Sequence, residues 1–179
     1  AQHPLAYLSH RLAHLNSSAR WLVPWHWPLA APPTRSEPNH LGLRNPASPI
    51  AAYWQHLAAN IAETPPGWPI FWMVMMIWGL WAAVARGPQD PRARLAIALF
   101  GSALCQELSF TLISLSSDLR YHLWPIMATA LGWALIAGRP TSKRRVQIMG
   151  AILAVIMVSG LAARMILPAP PSRYADLLL

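Results

Sequence analysis

The chain has 179 residues, of which 55% are hydrophobic and 11% are charged. Soluble domains carry about 25% charged residues, so this composition argues against an ordinary soluble protein and indicates a membrane protein. The net charge of +8 would by itself suit nucleic-acid binding. Half of the basic residues, however, lie in two short loops beside apolar segments, where membrane topology places them: Arg86, Arg92, Arg94, Arg139, Lys143, Arg144 and Arg145. Nucleic acid is therefore not an expected partner.

The first predicted element is an amphipathic helix over residues 4–15. Pro4 suits the first helical position, and its apolar face contains Leu5, Leu8, Leu12 and Leu15. His10 and His14 lie four residues apart, a spacing with which two imidazoles can bind one metal ion. Because no third ligand is nearby in the sequence, the simpler interpretation is the polar face of a surface helix, with a metal site as the alternative.

A second amphipathic helix is predicted over residues 49–63. Ser48 suits its N-cap, and Ile50, Trp54, Leu57 and Ile61 form its apolar stripe. The Pro- and Trp-rich sequence between the two helices has no useful periodicity. We expect residues 1–67 either to rest on the bilayer surface or to cover the top of a larger helix bundle.

Four apolar segments follow. A bilayer core about 30 Å thick requires roughly 20 apolar residues in a helix, and residues 68–85, 95–116, 119–137 and 146–167 meet this requirement with almost no charges. Trp68 and Trp72 suit the membrane–water interface at the start of the first span. The predicted fold is an all-α integral membrane protein, in which four transmembrane helices follow an extracytoplasmic region with two amphipathic helices.

The charged loops predict the orientation of these spans. Both basic loops lie on one side if all four segments cross the membrane, and the positive-inside rule makes that side cytoplasmic. Residues 1–67, the loop around Asp118 and the tail over residues 168–179 are then extracytoplasmic, and the expected location is the inner membrane of a bacterium. Because a polar region as long as residues 1–67 is not easily exported alone, we expect an upstream part or a removed leader.

The second span carries a polar stripe on one helical face. Glu107, Thr111, Ser114 and Asp118 are spaced at i, i+4, i+7 and i+11, so they lie on the same face. An acid near the middle of a span is costly unless it has a function or a partner. The stripe indicates either a polar path that opens outwards or a protonated Glu107 bonded to a neighbouring helix. Arg164 is a possible partner of Glu107, or it extends to the membrane surface.

The loop after this span concentrates polar side chains: Asp118, Arg120, Tyr121 and His122. Arginine binds phosphate bidentately, so this loop is a candidate site for a phosphate group, and the alternative is a tight turn with interfacial aromatic residues. His122 is the one histidine in or beside a predicted span, so a bis-histidine haem within this chain is not expected. No cofactor is assigned, although one histidine can ligate a cofactor in a larger complex.

Two stretches, residues 3–14 (HPLAYLSHRLAH) and residues 117–124 (SDLRYHLW), are similar to known membrane proteins. They resemble the C-terminal region of uncharacterised bacterial polytopic membrane proteins, akin to GT-C type glycosyltransferases that use polyprenyl-phosphate sugars. In that superfamily the catalytic acid lies in the first extracytoplasmic loop, for which this chain has no counterpart. The resemblance implies that the chain is a non-catalytic half, and that Asp118, Arg120, Tyr121 and His122 face the lipid phosphate.

Two functions are therefore expected from the sequence. The first is the membrane-embedded C-terminal portion of a glycosyltransferase-like protein that handles lipid-linked sugars. The second is a non-enzymatic accessory or scaffolding subunit of a larger respiratory or photosynthetic complex. No complete catalytic constellation is visible in the sequence, so an enzymatic activity of this chain alone is left open. The expected partners are the lipid bilayer, other membrane chains or a missing N-terminal part, and a polyprenyl-phosphate lipid.

Overall fold

The computed structural model describes residues 3–27, 48–87, 89–113, 119–138 and 142–170. These residues are all-helical and contain no strand. The α-helices, in chain order, are α1 Pro4–Ala19, α2 Pro49–Ala62, α3 Pro69–Val84, α4 Pro91–Ile113, α5 Leu123–Ile136 and α6 Lys143–Ile166. Short 3₁₀ turns at Pro65–Gly67 and Leu119–His122 precede α3 and α5.

Two of these helices, α4 and α6, are long and apolar enough to cross a membrane. The other two predicted spans correspond to shorter helices, because α3 has 16 residues and α5 has 14. The predicted amphipathic helices over 4–15 and 49–63 correspond to α1, which continues to Ala19, and to α2. Four membrane-spanning helices therefore stay a prediction, whereas the helical fold is confirmed.

The start of α5 differs from the predicted span because of Pro125. In a continuous helix the N–H of residue 125 would donate to the carbonyl of Tyr121, and proline has no N–H. The chain forms a 3₁₀ turn over Leu119–His122 instead. The Gln106 side chain on α4 donates a hydrogen bond to the Tyr121 carbonyl at 2.7 Å, so the group that Pro125 leaves unbonded gains a partner from the neighbouring helix.

The core lies where α4 packs between α3 and α5, and α6 packs against the other side of α3. Its centre is Phe100, whose side chain is fully buried. A Cβ atom on Gly79 would approach the Phe100 ring to 2.2 Å, and one on Gly132 would approach it to 2.7 Å. Small residues on α3 and α5 thus make the space for one large ring, as in closely packed membrane helices.

The bundle has one end rich in exposed arginine and lysine, here called the basic end. Arg86 at the end of α3 donates to the carbonyl of Ile136, the last residue of α5, at 2.8 Å. The Arg145 guanidinium near the start of α6 lies 4.9 Å from the centre of the Trp81 ring on α3. Arg92 and Arg94 lie in the first turn of α4, which follows α3 directly. The opposite end, called the polar end, holds α1 and the site described next.

Candidate functional site

Glu107 and His122 form a buried pair at the polar end. The Nδ1 atom of His122 lies 2.8 Å from one carboxylate oxygen of Glu107 and 3.1 Å from the other. Both side chains are about 3% exposed, so neither can satisfy its charge or its hydrogen bonds with bulk water. The pair joins the C-terminal third of α4 to the turn before α5. Glu107 therefore has a specific partner within the chain, a residue of the predicted polar loop.

Helix α1 covers this pair. A narrow crevice under α1 is lined by His14 and Ser18 from that helix and by Glu107, Thr111 and His122 from the bundle. It encloses about 10 Å³, close to the minimum that one water molecule requires. The crevice is therefore too small for a substrate, and its chemistry is limited to holding a proton or a single water between the side chains.

An arginine on α1 attaches this cover to the bundle. The Arg11 guanidinium donates hydrogen bonds to the carbonyls of Phe110 and Thr111. These carbonyls belong to the last turn of α4, where four C=O groups have no partner within the helix. A cation also interacts favourably with the negative end of a helix dipole. The first amphipathic helix is thus held against α4 by a polar contact as well as by packing.

The remaining predicted residues are divided between the surface and the interior. Arg120 and Tyr121 are exposed, and the Arg120 guanidinium lies 5.3 Å from the centre of the Tyr121 ring. The Thr111 hydroxyl donates to the carbonyl of Glu107 in its own helix at 3.0 Å, so it does not extend the polar contact across helices. Ser114 and Asp118 lie outside the described residues. The structure therefore brings Glu107 and His122 together, and leaves Arg120 with Tyr121 on the outer surface.

The two histidines of α1 differ in burial. His14 lines the crevice, whereas His10, one turn earlier in the helix, is exposed. Within the described ranges no group of three or more His, Cys, Asp or Glu side chains is arranged to hold a metal ion. His14 is instead within 3.5 Å of the Ser18 hydroxyl, one turn along α1.

A second buried ionic cluster joins three separate parts of the chain. Glu63 at the end of α2 accepts a hydrogen bond from Arg20 at 2.9 Å, and its second carboxylate oxygen lies 3.7 Å from Nε of Arg164 on α6. All three side chains are at most 8% exposed. Burial lowers the pKa of Arg20 below its usual value, and the nearby Glu63 carboxylate opposes that shift. The cluster is a connection between the N-terminal region and the bundle.

Arg164 makes most of the contacts in this cluster. Its guanidinium donates to the carbonyls of Arg20 at 3.0 Å, Trp21 at 3.2 Å and Gly160 at 3.1 Å. It also lies 3.8 Å from the centre of the Trp68 ring, where an aromatic face attracts a cation. Gly160 makes room for this arrangement, because a Cβ there would come within 2.7 Å of the Trp68 ring.

The segment that follows α1 reaches this cluster through a local clamp. The Asn16 side chain accepts from the N–H of Leu22 and donates to its carbonyl, both at 2.9 Å. Arg20 lies between them in the left-handed conformation with φ of 51°. The Trp21 indole then donates to the hydroxyl of Ser159 on α6 at 2.9 Å. These contacts hold the turn after α1 against the side of α6.

Sequence reasoning missed this cluster because its members are far apart along the chain. Arg164 was considered as a partner of Glu107 or as a surface residue, and it is instead buried beside Glu63. A usable signal was present, because a charged residue in an apolar span requires a partner and Glu63 lies directly before the first apolar segment. Whether Arg164 pairs with Glu63 or with Glu107 depends on how the helices pack, which periodicity does not reveal.

No family model, curated protein or solved structure matches this chain. The functional interpretation therefore depends on its own residues and their geometry.

Proposed function

We propose that this chain is the membrane-embedded, non-catalytic portion of a glycosyltransferase-like protein that handles lipid-linked sugars. The observation that carries this proposal is the exposed pair of Arg120 and Tyr121 at the polar end. Directly after it in the chain, His122 is anchored to Glu107 in the interior. An exposed arginine in an anchored turn at the end of apolar helices suits a lipid-borne phosphate.

In this proposal all four apolar helices cross the membrane. At about 1.5 Å per residue, α4 is about 34 Å long and α6 about 36 Å long. Helix α5 is about 21 Å long, and the four-residue 3₁₀ turn before it adds about 8 Å. The combined length is close to the bilayer core of about 30 Å. Helix α3 is about 24 Å long, which is shorter than the bilayer core. It therefore crosses with little tilt, in a slightly thinned bilayer.

The proposed orientation places the basic end in the cytoplasm. The exposed basic residues at this end are Arg92, Arg94, Lys143 and Arg144, and short basic loops are retained on the cytoplasmic side. The turn with Arg120 then faces the outer leaflet of a bacterial inner membrane. A polyprenyl phosphate in that leaflet has its phosphate at the height of Arg120 and its chain along the apolar helices.

Binding of polyprenyl phosphate to the purified protein, measured by native mass spectrometry in detergent, tests this function. A charge-assisted hydrogen bond contributes about 1.5–3 kcal/mol, so Arg120→Gln is expected to weaken binding by about tenfold or more. Arg94→Gln is the matched control, because Arg94 is an exposed arginine at the other end of the bundle. Polyprenol, which has no phosphate, should bind weakly to each variant. Equal binding of polyprenol and polyprenyl phosphate to the unaltered protein would overturn the proposal.

The second candidate function is an accessory or scaffolding subunit of a larger membrane complex. It is favoured by the unpacked surface of α6, where only 11% of the apolar window is buried within the chain. Val155 and Val158 on this helix are each 66% exposed. A photo-crosslinker at Val155 in native membranes distinguishes the two functions. A single protein adduct of defined mass supports a subunit, whereas lipid adducts alone support a lipid-facing helix.

A further inference from the structure

A groove between α3 and α5 opens at the basic end of the bundle. Its volume is about 460 Å³, which is within the range of ligand-binding clefts. The lining is apolar along most of its length, from Met75, Trp133, Ala134 and Ile136, and Arg86 lies at its mouth. These two features are complementary to those of a phospholipid. An acyl chain fits an apolar groove, and a phosphate binds a cation at its open end.

The two groove residues contributed by α3 and the turn after it are separated by about the thickness of one leaflet. Met75 and Arg86 are both groove residues on or next to α3 and are 86 − 75 = 11 positions apart. At about 1.5 Å per residue this separation is about 16 Å. The hydrocarbon part of one leaflet is about 15 Å thick, half of the bilayer core. When α3 spans the bilayer, Met75 therefore lies near mid-membrane and Arg86 near the surface.

The inner part of the groove is preformed. The Trp133 indole on α5 donates a hydrogen bond to the carbonyl of Met75 on α3 at 3.0 Å. Its ring also packs edge-to-face against Trp78, with a centroid distance of 5.2 Å, and against Phe100, with a centroid distance of 6.1 Å. Because these contacts hold the indole in position, a chain in the groove meets a rigid aromatic wall and does not need to create the space.

The charges around the mouth favour an anion. One nitrogen of Arg86 donates to the carbonyl of Ile136 at 2.8 Å, which holds the guanidinium at the groove. Arg145 lies against Trp81, near the same end of α3. Asp90 is the one acid among the described residues of this end, and its carboxylate accepts the backbone N–H of Arg92. The potential at the mouth is therefore positive, as in the basic clefts that bind acidic lipid headgroups.

We infer that the groove between α3 and α5 binds an anionic phospholipid of the leaflet at the basic end. One acyl chain lies along Met75, Trp133 and Ala134, and the phosphate contacts Arg86. This inference uses the membrane placement of the proposed function, but its site is at the opposite end of the bundle from Arg120. Lipid binding at this end stabilises the packing of α3 against α5.

Native mass spectrometry of the complete protein in detergent tests the site, with phosphatidylglycerol and phosphatidylcholine of identical acyl chains as probes. We expect the unaltered protein to retain phosphatidylglycerol at least about fivefold more strongly. Arg86→Gln should abolish this preference, since the amide is polar but has no charge, and Arg86→Lys should keep much of it. Ala134→Trp should reduce the binding of both lipids by filling the groove. Arg94→Gln, at the same end but outside the groove, should behave as the unaltered protein.

Equal retention of the two lipids would overturn the inference, and so would unchanged binding in Ala134→Trp. A thermal unfolding curve of each variant without lipid shows whether it is folded, and Arg86→Lys provides the test if Arg86→Gln is not. The inference and the proposed function can fail separately. Loss of polyprenyl-phosphate binding through Arg120→Gln with an intact preference for phosphatidylglycerol supports both sites. Phosphatidylglycerol preference without any binding of polyprenyl phosphate removes the proposed function and leaves the groove.

Discussion

The pair of Glu107 and His122 shows how one residue in an apolar helix constrains its surroundings. A carboxyl group in the interior of the bundle is costly to bury without a partner, and the imidazole of His122 supplies that partner at 2.8 Å. The turn over Leu119–His122 is thereby fixed against α4, and the Gln106 contact to the Tyr121 carbonyl reinforces it. The orientation of the exposed Arg120 therefore depends on a bond made below the surface.

Removing one side chain of this pair should lower the free energy of unfolding more than replacing both side chains with apolar ones. Glu107→Leu leaves the His122 imidazole buried without its acceptor, and removal of one partner of a buried pair costs about 3–5 kcal/mol in free energy of unfolding. The double variant with His122→Phe removes both polar groups and is expected to recover most of that loss. Unfolding in detergent, followed by circular dichroism, gives the double-mutant cycle. Additive losses in the double variant would contradict a direct interaction between the two side chains.

The glycines that contact Phe100 give a second test at the residue scale. Gly79→Ala places a methyl group 2.2 Å from the Phe100 ring, and overpacking of this kind costs about 1–3 kcal/mol. Gly101→Ala is the matched control, because a Cβ at that helical position meets nothing within 4 Å. Alanine there should be neutral or stabilising by up to about 1 kcal/mol. Thermal unfolding of both variants tests this prediction. Equal destabilisation by Gly79→Ala and Gly101→Ala would mean that the Phe100 ring does not contact Gly79.

Among the helices, α1 and α6 are connected by polar contacts more than by apolar packing. Arg164 on α6 donates to backbone carbonyls of Arg20 and Trp21 after α1, while Glu63 adds the end of α2 to the same cluster. Much of the apolar face of α1 stays exposed, including Leu5 at 80% and Leu12 at 57%. The position of the N-terminal region on the bundle thus depends on a few charged side chains.

Arg164→Leu should therefore release the turn after α1 without unfolding the bundle. The variant removes the guanidinium that bonds three carbonyls, and it leaves Glu63 bonded to Arg20 and to the backbone N–H of His26. Hydrogen–deuterium exchange should increase over residues 16–27, whereas exchange in α4 and α5 should remain unchanged. Arg164→Lys keeps the charge but lacks the planar fork, so we expect an intermediate increase. Uniform exchange changes along the whole chain would instead indicate that Arg164 stabilises the core.

Predictions from the sequence were most accurate for elements and least accurate for contacts between them. The 3.6-residue periodicity and the apolar runs located the six helices of the described residues, because these signals are local. A tight turn before α5 was one of two interpretations of the polar loop, but its position over Leu119–His122 was not predicted, since it depends on Pro125 and on a Gln106 side chain from another helix. The polar loop was recognised as important, but its division into an inward His122 and an outward Arg120 depends on packing. In the buried ionic cluster, Glu63 lies 43 positions after Arg20 and 101 positions before Arg164. No local sequence pattern indicates such a pairing.

At the scale of the whole molecule, charge is distributed differently at the two ends. At the polar end, four described charged residues lie inside beside partners: Arg20, Glu63, Glu107 and Arg164. The basic end keeps its charges on the surface, and the two ends of α4 illustrate the contrast, with Arg92 and Arg94 exposed and Glu107 buried. Among the described residues, exposed basic side chains are therefore concentrated at the basic end, which is the pattern that orients a membrane protein.

This asymmetry predicts the orientation of the protein in a cell. Moving one positive charge across a membrane against 100 mV costs about 2.3 kcal/mol, so four exposed basic residues oppose export of the basic end. In a Cys105→Ser background, Asn60→Cys on α2 and Ser142→Cys before α6 introduce single thiols at exposed positions. A membrane-impermeant maleimide should label Asn60→Cys in intact cells, and Ser142→Cys only after lysis. The reverse pattern would show the opposite orientation, and labelling of both thiols in intact cells would show that the bundle does not cross the membrane.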